Sequence, residues 1–305
     1  MNSDKTKVVI SGASGFLGRN LVAYLDKNDQ YVICALSSQS KILQEKNGYK
    51  NVKYYDKNAI FADQDKLILE NAIIVNCAFP RDSTGSGMAD GLKYIQGVFL
   101  KAKECKAKAV INISSQSVYS AKRSVAATEE TPVCLETTYA VGKYATELML
   151  ESILQGTDIY YTNIRLASLI GPGFNQRIVN RFVQQALRGE DLVANIGTQI
   201  YGFLDIKDAV SGLTAMIQSD ARDWEKVYNL GPKGGYTIEQ IAQVVCQLSK
   251  FYCERSIKYS VKRTDEHSNS MIDSRLFYRN FKWEPKIKIT ESTEEILKKR
   301  LKRES

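Results

Sequence analysis

The stretch KVVISGASGFLG, residues 7–18, decides the fold of this chain. It begins as an apolar run typical of a buried strand, and Gly12, Gly15 and Gly18 follow three residues apart. Residues 15–28 have the apolar spacing of a helix. Glycines between a strand and a helix permit a tight turn and let the backbone approach a pyrophosphate at the helix N-terminus. The stretch therefore predicts a dinucleotide site, with a tight turn that binds no ligand as the alternative.

Strand and helix patterns alternate through the first half of the chain. Strand patterns cover residues 31–36, 72–78, 109–114 and 159–167, and helical patterns cover residues 91–106 and 137–154. Strands that alternate with helices imply a parallel sheet covered on both faces. After about residue 168 the chain turns to loops, amphipathic helices and a Gly-rich turn, so we predict an α/β fold with two parts.

The composition excludes several classes of protein. The chain has 305 residues, enough for a large core, and it holds no apolar run that approaches the roughly 18–20 residues needed to span a bilayer. Its beginning lacks the apolar core of a signal peptide. Six cysteines without CxxC spacing indicate reduced thiols in a cytoplasmic protein with no metal site.

The net charge of +8 is partly due to the stretch ILKKRLKRES at the end of the sequence. Such a run is typical of a solvated helix end. We find no basic patch interleaved with aromatic residues, so we predict no nucleic-acid partner. An anionic small-molecule ligand explains a mild basic excess more simply.

The end of the second strand indicates which dinucleotide is bound. NAD sites usually have an acidic residue there, because a carboxylate accepts hydrogen bonds from the ribose 2′-OH. Here the stretch ICALSSQSK offers Leu36, Ser37, Ser38 and Lys41, and no acid. Hydroxyls and a lysine tolerate a 2′-phosphate, so NADP is favoured and NAD is the alternative. Asp56 is a candidate partner for the adenine amino group, or else a turn residue.

A tyrosine and a lysine four residues apart, Tyr139 and Lys143, begin a predicted helix and share one of its faces. Tyrosine has an ordinary pKa near 10 and transfers protons poorly at neutral pH unless a neighbouring cation lowers that pKa. The pair is informative because a hydroxyl cluster, INISSQSVYS, ends a strand shortly before it. Within that cluster, Ser115 lies 24 residues before Tyr139.

These motifs together resemble the extended branch of the short-chain dehydrogenase/reductase superfamily, which contains nucleotide-sugar epimerases, dehydratases and reductases. The resemblance includes SGASGFLG, SSQSVYS, YAVGK, RLASLIGPG, FLDIKDA and YNLGPKGGYTIEQIA, and it covers nearly the whole chain. It implies a Rossmann-type doubly wound parallel sheet over residues 1–167, with a return strand near residues 223–231. Residues 168–305 would mainly form a smaller C-terminal α/β domain that closes over a nucleoside-diphosphate sugar.

The resemblance also implies residue roles. Ser115 would hydrogen-bond the reacting sugar oxygen, Tyr139 would be the acid/base, and Lys143 would hold the ribose and lower the tyrosine pKa. The cofactor residues it implies are Gly12, Gly15, Phe16 and Gly18 at the pyrophosphate, and Cys77 and Ala78 near the nicotinamide ribose. Ser115 acting only as a cap for the following turn is the alternative. Members of the family commonly pair through the helix that carries the tyrosine and lysine, which implies a homodimer.

Two departures from the family pattern narrow the reaction. Dehydratases have an Asp-Glu pair directly after the catalytic hydroxyl, where this chain has Gln116 and Ser117, and neither replaces a carboxylate base. Epimerases that act at C3 and C5 use a cysteine–histidine pair, where this chain has Ser117 and Gly173. Hydride transfer at a sugar carbinol or ketone remains. The absent acid favours a 4-keto-6-deoxy-sugar 4-reductase over a 4-epimerase that keeps its NAD, and a dinucleotide sensor without catalysis is a third alternative.

The substrate half departs as well, so the nucleotide and sugar stay open. Ser168 stands where the family often has an asparagine, and Tyr201 stands where it often has an arginine. Arg177 and Arg263 remain as candidate phosphate ligands, and Arg81 is a candidate for the wall of the cleft. The other candidate substrate residues are Gln116, Ser117, Ser168 and Tyr201. Each arginine has a surface ion pair as its alternative role.

Overall fold

Seven parallel strands form the central sheet of the computed structural model, which describes residues 5–62, 66–80, 85–174, 178–196, 198–253, 256–263 and 267–304. The described residues form thirteen strands in all, of which six lie outside the central sheet. In chain order the thirteen are β1 (Thr6–Ser11), β2 (Tyr31–Leu36), β3 (Val52–Tyr55), β4 (Ile73–Asn76), β5 (Ala109–Ser115), β6 (Tyr160–Leu166), β7 (Ser168–Ile170), β8 (Leu192–Ile196), β9 (Ile200–Tyr201), β10 (Phe203–Asp205), β11 (Val227–Leu230), β12 (Tyr236–Thr237) and β13 (Tyr259–Arg263).

The central sheet has the order β11-β6-β5-β4-β1-β2-β3. All its neighbouring strands pair in parallel. From β1 the chain adds strands first on one side, β2 and β3, and then on the other, β4, β5, β6 and β11, so the strand order reverses between β1 and β4. A crevice opens at such a reversal, outside the carboxyl ends of the strands, where ligands of these folds bind. The predicted fold class is thereby confirmed. The short strand β3, at one edge of the sheet, was not predicted from the sequence.

Ten helices surround the strands. They are α1 (Phe16–Leu25), α2 (Ser40–Lys46), α3 (Lys66–Leu69), α4 (Gly85–Glu104), α5 (Thr138–Leu154), α6 (Ile178–Leu187), α7 (Ile206–Ile217), α8 (Ile238–Cys253), α9 (Arg275–Phe281) and α10 (Ile289–Glu304) among the described residues. Alternate residues of β1 point to opposite faces of the sheet. Val8 and Ile10 join the core under α1 and α7, and Val9 joins the core under α4 and α5.

A third core lies in the C-terminal part of the chain. Helices α6, α8 and α10 pack on one another there, around Phe182, Ile241 and Leu297. Three separate two-stranded sheets, β7 with β10, β8 with β13 and β9 with β12, form from strands that follow β6 in the chain. The chain returns to the central sheet through β11, which pairs with β6, and afterwards leaves it again to form β12, α8, β13 and α10.

Polar side chains form a buried row across the carboxyl half of the sheet. Ser11, Asn76, Asn112 and Asn163 are register partners on four adjacent strands. The Ser11 hydroxyl donates to Asn76 (3.1 Å), the Asn76 amide to Asn112 (3.0 Å), and the Asn112 amide to Asn163 (2.8 Å). Asn112 also donates to Thr146 of α5 (3.0 Å). Because each amide is satisfied by its neighbour, the row fixes the register of the strands and the seat of α5.

Two further observations concern the described residues alone. No helix among them is both long and apolar enough to cross a membrane. They contain no group of three or more histidine, cysteine or acidic residues arranged to hold a metal ion, and all six cysteines are free thiols.

Candidate active site

The glycine turn leaves backbone exposed at the carboxyl end of β1. Gly12 has a φ of +74°, and a Cβ there would lie 2.6 Å from the Ala78 backbone nitrogen. A Cβ at Gly18 would lie 2.3 Å from the Gly12 carbonyl oxygen. Gly15 is the N-cap of α1 and makes no side-chain cap. The turn therefore needs glycine for packing, and it leaves the N-terminus of α1 open to an anion.

A cavity of about 390 Å³ adjoins this turn. Its lining residues come from the ends of β1, β2 and β4 and from α4: Gly12, Ser14, Gly15, Leu36, Ser37, Ser38, Lys57, Cys77, Ala78, Phe79, Pro80, Gly87, Asp90, Gly91, Tyr94 and Ile95. The bare backbone at one end and the cleft between α4 and the strand ends fit an elongated ligand with a phosphate in the middle. We call this space the first cavity.

The residues predicted to bind the adenosine end differ in their placement. Ser37 and Ser38 line the first cavity, where the Ser37 hydroxyl accepts the Gln39 N–H at 3.0 Å. Lys41 is exposed on α2, and Asp56 accepts the Asn58 N–H (2.9 Å) in a turn. Neither Lys41 nor Asp56 is among the described residues that line the cavity.

The lysine that does line the first cavity is Lys57, which the sequence analysis missed. Its ammonium lies 5.6 Å from the Tyr94 ring centroid. The Tyr94 hydroxyl donates to the Lys57 carbonyl at 3.3 Å. The signal that could have found Lys57 is its position two residues after the end of β3, since the glycine turn also follows the carboxyl end of a strand of this sheet.

A second cavity, of about 560 Å³, lies beside the first. The catalytic candidates Ser115, Tyr139 and Lys143 line it together with Leu17, Cys77, Phe79, Pro80, Ile113, Ser114, Gln116, Ser117, Leu166, Ala167, Ser168, Leu169 and Phe174. Cys77, Phe79 and Pro80 line both cavities, so the two spaces meet at the end of β4. The structure thus brings the glycine turn and the tyrosine–lysine pair to one cleft.

Ser115 ends β5, and it both caps the turn that follows and lines the second cavity. Its hydroxyl accepts the Ser117 N–H at 3.2 Å, which caps the short 3₁₀ turn of residues 116–118. The same oxygen lies 2.7 Å from the Ser117 hydroxyl. The side chain is fixed by this cap while it lines the second cavity, so a reacting oxygen can hydrogen-bond the Ser115–Ser117 hydroxyl pair.

Helix α5 positions Tyr139 and Lys143. Its N-cap is Thr137, whose hydroxyl accepts the Ala140 N–H at 3.1 Å. Tyr139 is 43% exposed, at the mouth of the second cavity. Lys143, one turn later, is buried, and its ammonium lies 6.0 Å from the Tyr139 ring centroid.

The Lys143 ammonium has two close partners. It donates to the Ile113 carbonyl at 2.7 Å, and it lies 4.2 Å from the centroid of the Phe79 ring. Burial lowers the pKa of Lys143 to about 8, although Cys77 and Glu147 nearby oppose that shift. Burial raises the pKa of the Cys77 thiol to about 12, which favours the protonated thiol over the thiolate.

A buried ion pair lies next to β5, the strand that carries Ser115. The Arg165 guanidinium on β6 donates twice to Glu147 of α5, at 2.8 and 3.2 Å. Glu147 also accepts a hydrogen bond from Ser114, the neighbour of Ser115, and Arg165 donates to the Tyr119 hydroxyl at 3.0 Å. The pair ties α5 to β5 and β6. Its spacing in the sequence, 18 residues with a strand boundary between, offers no local signal.

Of the predicted substrate residues, Gln116, Ser117 and Ser168 line the second cavity. Tyr201 stacks on Phe203 at 5.7 Å and is not among the lining residues described. Phe16 stacks on Phe174, with 4.7 Å between ring centroids, and so joins the glycine turn to the loop after β7. Two predicted arginines, Arg81 and Arg177, lie outside the described residues, and Arg263 is described only as the last backbone position of β13.

Residues that the sequence analysis did not single out complete the cleft. Phe79 and Pro80 form the boundary between the two cavities. Arg123 donates to Gln116 at 3.4 Å and to the Met271 carbonyl at 2.8 Å, which holds the C-terminal part against the strand end. These contacts join segments far apart in sequence.

Comparison with known proteins gives several matches among curated sequences. UDP-glucuronic acid decarboxylase 6 of Arabidopsis thaliana is 30% identical over 164 residues, which is 52% of this chain and 46% of that protein. The chain thus spans about half the length of the first curated relatives it matches. An uncharacterized UDP-glucose epimerase of Bacillus subtilis, YtcB, is 23% identical over 285 residues, covering 88% of this chain and 89% of that protein.

Solved structures share the whole fold at low identity. A mutant UDP-glucuronic acid 4-epimerase from Bacillus cereus, in complex with UDP-4-deoxy-4-fluoro-glucuronic acid and NAD, has a TM-score of 0.81 and 19% identity, covering 97% of this chain and 100% of that one. The UDP-N-acetylglucosamine 4-epimerase of Bacillus cereus has a TM-score of 0.81 and 21% identity, covering 98% and 100%.

A family model provides the assignment. The model of the NAD dependent epimerase/dehydratase family matches residues 8–231, which include the glycine turn, Ser115, Tyr139, Lys143 and β11. The match extends over more than half of the chain. On this match, and on the strand order and cleft described above, the chain belongs to the NAD dependent epimerase/dehydratase family.

Proposed function

We propose that the chain is an NAD(P)-dependent oxidoreductase that transfers hydride at a carbinol or ketone of a nucleoside-diphosphate sugar. One observation carries the proposal: Ser115, Tyr139 and Lys143 line a single cavity that continues past Cys77 and Pro80 to the glycine turn. The names of the relatives, which are UDP-sugar enzymes, support the substrate class.

The residues of the glycine turn fit a dinucleotide. A Cβ at Gly12 or Gly18 would clash with neighbouring backbone, and because these residues are glycines the turn stays tight and its backbone can approach a pyrophosphate. Gly12, Ser14 and Gly15 would hold the pyrophosphate, and Ser37 and Ser38 would lie near the adenosine ribose. Lys143 would hold the nicotinamide ribose. The bound dinucleotide supplies or accepts the hydride.

The proton chemistry is assigned to the second cavity. Tyr139 would give a proton to, or take one from, the reacting sugar oxygen, and its place in the lining of the second cavity suits a group that exchanges protons. The hydroxyls of Ser115 and Ser117, 2.7 Å apart, would hydrogen-bond that same oxygen. The positive charge of Lys143 favours the ionised tyrosine during transfer.

The lining residues argue against two other reactions of such enzymes. Gln116 and Ser117 line the cavity where a dehydratase needs two carboxylates. His267, the one histidine of the chain, contacts Thr198 and is not among the described residues that line the cavity. This supports hydride transfer without dehydration or 3,5-epimerisation.

Within hydride transfer, we favour a 4-reductase of a 4-keto-6-deoxy sugar that uses exchanging NADPH. The support is the end of β2, where Leu36, Ser37 and Ser38 line the first cavity without a carboxylate, and where Lys57 adds a positive charge. A 4-epimerase with tightly bound NAD is the second candidate. It is favoured by structural neighbours that are 4-epimerases, one of them in complex with NAD.

The dinucleotide content of the purified protein tests the choice. Protein should be denatured and its released nucleotide identified, and binding of NADPH and NADH should then be compared by fluorescence titration. A reductase is expected to be purified empty and to prefer NADPH, whereas an epimerase is expected to retain NAD. A screen of nucleoside-diphosphate sugars and their 4-keto-6-deoxy forms would then identify the substrate.

Tyr139→Phe tests the mechanism itself. We expect turnover to fall by about 10²- to 10⁴-fold, the usual contribution of a positioned acid/base, with dinucleotide affinity retained. We expect only a small change in the unfolding temperature, because 43% of the Tyr139 residue is exposed. Full activity of this variant on the true substrate would refute the assigned role. Dinucleotide binding without turnover of any sugar in the wild type would favour the non-catalytic sensor.

We also propose a cytoplasmic homodimer. Leu100 of α4 and Val141 and Leu148 of α5 are about half exposed, and the two helices pack side by side. A second copy would cover these apolar side chains. The six free thiols fit a reducing compartment.

A further inference from the structure

Phe79 occupies the place where the two cavities meet. It follows β4 at the carboxyl edge of the sheet and lines both the first and the second cavity. Gly12 and Gly15 line only the first cavity, and Tyr139 and Lys143 line only the second. A ligand that extends from the glycine turn to the tyrosine–lysine pair has to pass the Phe79 ring.

The ring lies directly over the lysine that would hold the ribose. The Lys143 ammonium is 4.2 Å from the centroid of the Phe79 ring. The edge contact between Phe79 and Tyr139, with 5.2 Å between centroids and 77° between planes, places the same ring against the other catalytic candidate. A desolvated ammonium over an aromatic face is a favourable arrangement, so a ribose hydroxyl has to compete with the ring for Lys143.

Helix α5 is built to admit this ring. Gly142 directly precedes Lys143, inside the helix, where glycine costs about 1 kcal/mol relative to alanine. A Cβ at Gly142 would lie 3.0 Å from the Phe79 Cζ and 2.6 Å from the Met88 sulfur. The missing side chain therefore makes the space into which the ring packs.

The backbone around Phe79 is held while its side chain has room. Pro80 restricts the backbone of the residue before it to extended conformations. A Cβ at Gly91 of α4 would lie 2.6 Å from the Pro80 ring, so Pro80 is packed tightly against that helix. Cavities of about 390 and 560 Å³ flank the ring itself. Movement at this point is therefore a rotation of the Phe79 side chain.

We propose that Phe79 is a positioning residue that gates the nicotinamide end of the site: its ring covers the Lys143 ammonium and has to turn aside for a ribose hydroxyl to reach it. The inference rests on the proposed function, because it assumes a dinucleotide that spans the two cavities. The work of displacing the ring weakens dinucleotide binding and speeds release. Phe79 thereby favours a cofactor that exchanges at each turnover over one that stays bound.

The test compares wild type with Phe79→Ala and Phe79→Leu, using NADPH and NADH as probes. Dissociation constants come from fluorescence titration and release rates from a stopped-flow chase. We expect Phe79→Ala to bind the preferred dinucleotide about tenfold more tightly and to release it more slowly, since it removes the competing ring. Phe79→Leu should fall between the two and serves as the deciding variant if the alanine variant does not fold. Phe251→Ala, at a phenylalanine that is 76% exposed on α8, is the matched control and should not change either quantity.

A double variant separates gating from a general effect of lost packing. In a Lys143→Met background, Phe79→Ala should give no tightening, because the ammonium that the ring covers is gone. Equal or weaker binding by both Phe79 variants in the wild-type background would overturn the gate. If neither wild type nor any variant bound NADPH or NADH, the proposed function would fail with it. Binding by wild type with no change in the Phe79 variants would refute the gate alone.

Discussion

At the scale of single residues, Lys143 is the buried cation of the second cavity. Its ammonium is desolvated, so the pKa of Lys143 in the folded protein is about 8, against an ordinary value near 10.5. The Glu147 carboxylate acts on it electrostatically and favours the charged form. The Ile113 carbonyl accepts one of its hydrogen bonds.

The shift of Lys143 predicts a pH-dependent stability. Below about pH 8 the lysine is charged in both the folded and the unfolded chain, so the folded state carries the full cost of burying the charge. Between pH 8 and 10.5 the unfolded chain binds more protons, and the free energy of unfolding rises with pH by an amount on the order of 3 kcal/mol. We therefore expect Lys143→Met to raise the unfolding temperature at pH 7, with a smaller gain at pH 9.5.

Thermal unfolding of the two proteins at both pH values measures this effect. The control is Lys50→Met, since Lys50 is exposed in its pair with Asp29. A lower unfolding temperature for Lys143→Met at pH 7 would show that the contacts of the ammonium outweigh the cost of its burial.

At the scale of elements, the contact between α1 and the glycine turn is very close. Gly18→Ala places a Cβ against the Gly12 carbonyl, a backbone atom that cannot turn away. We expect the start of α1 to shift, with a loss of about 1–3 kcal/mol of stability and weaker dinucleotide binding. Denaturant unfolding and fluorescence titration measure the two effects. Gly48→Ala, where a Cβ meets nothing within 4 Å, should be neutral, and equal behaviour of the two variants would contradict the close packing.

The ion pair of Glu147 and Arg165 joins α5 to β6. Arg165→Met should cost about 3–5 kcal/mol, because it leaves a buried carboxylate without its partner. The double variant Glu147→Gln with Arg165→Met should recover much of that loss. A double-mutant cycle by denaturant unfolding decides the matter, and a double variant as unstable as Arg165→Met alone would show that the charge is not the source of the cost.

At the scale of the whole molecule, the apolar residues Leu100, Val141 and Leu148 predict pairing of two chains. Leu148→Glu should disrupt it, because the charge would be buried in the interface. Light scattering after size exclusion is then expected to report the 34.3 kDa of one chain for the variant and twice that mass for wild type. Val125→Glu, at a valine that is 70% exposed, is the control. A monomeric wild type would refute the dimer.

Most of the central sheet could be predicted from the sequence, whereas the lining of the cavities could be predicted only in part. The alternation of strand and helix patterns predicted the parallel sheet, which is confirmed, although the four-residue strand β3 was too short to be recognised. The motif spacing selected Ser115, Tyr139 and Lys143, and the fold brings them to one cavity. Lys41 was selected by its position after the second strand, and Asp56 by its position after the stretch VKYY. Both residues are exposed, and Lys57 lines the first cavity instead.

The features that could be predicted from the sequence alone are those that depend on short-range patterns, namely the glycine turn, the strands and helices, and the tyrosine–lysine pair. Glycines three apart after an apolar strand, apolar periodicity and a four-residue spacing on a helix all act within one or two elements. Only the tertiary structure decided that Phe79 lies over Lys143, that Arg165 pairs with Glu147, and that the Lys143 charge is buried. Those facts depend on strand register and helix packing, which join residues far apart in the chain. Burial and the choice of partner are properties of the packed fold. They set the pKa and the contacts of residues such as Lys143, whereas local sequence patterns predict only which residues belong to the site.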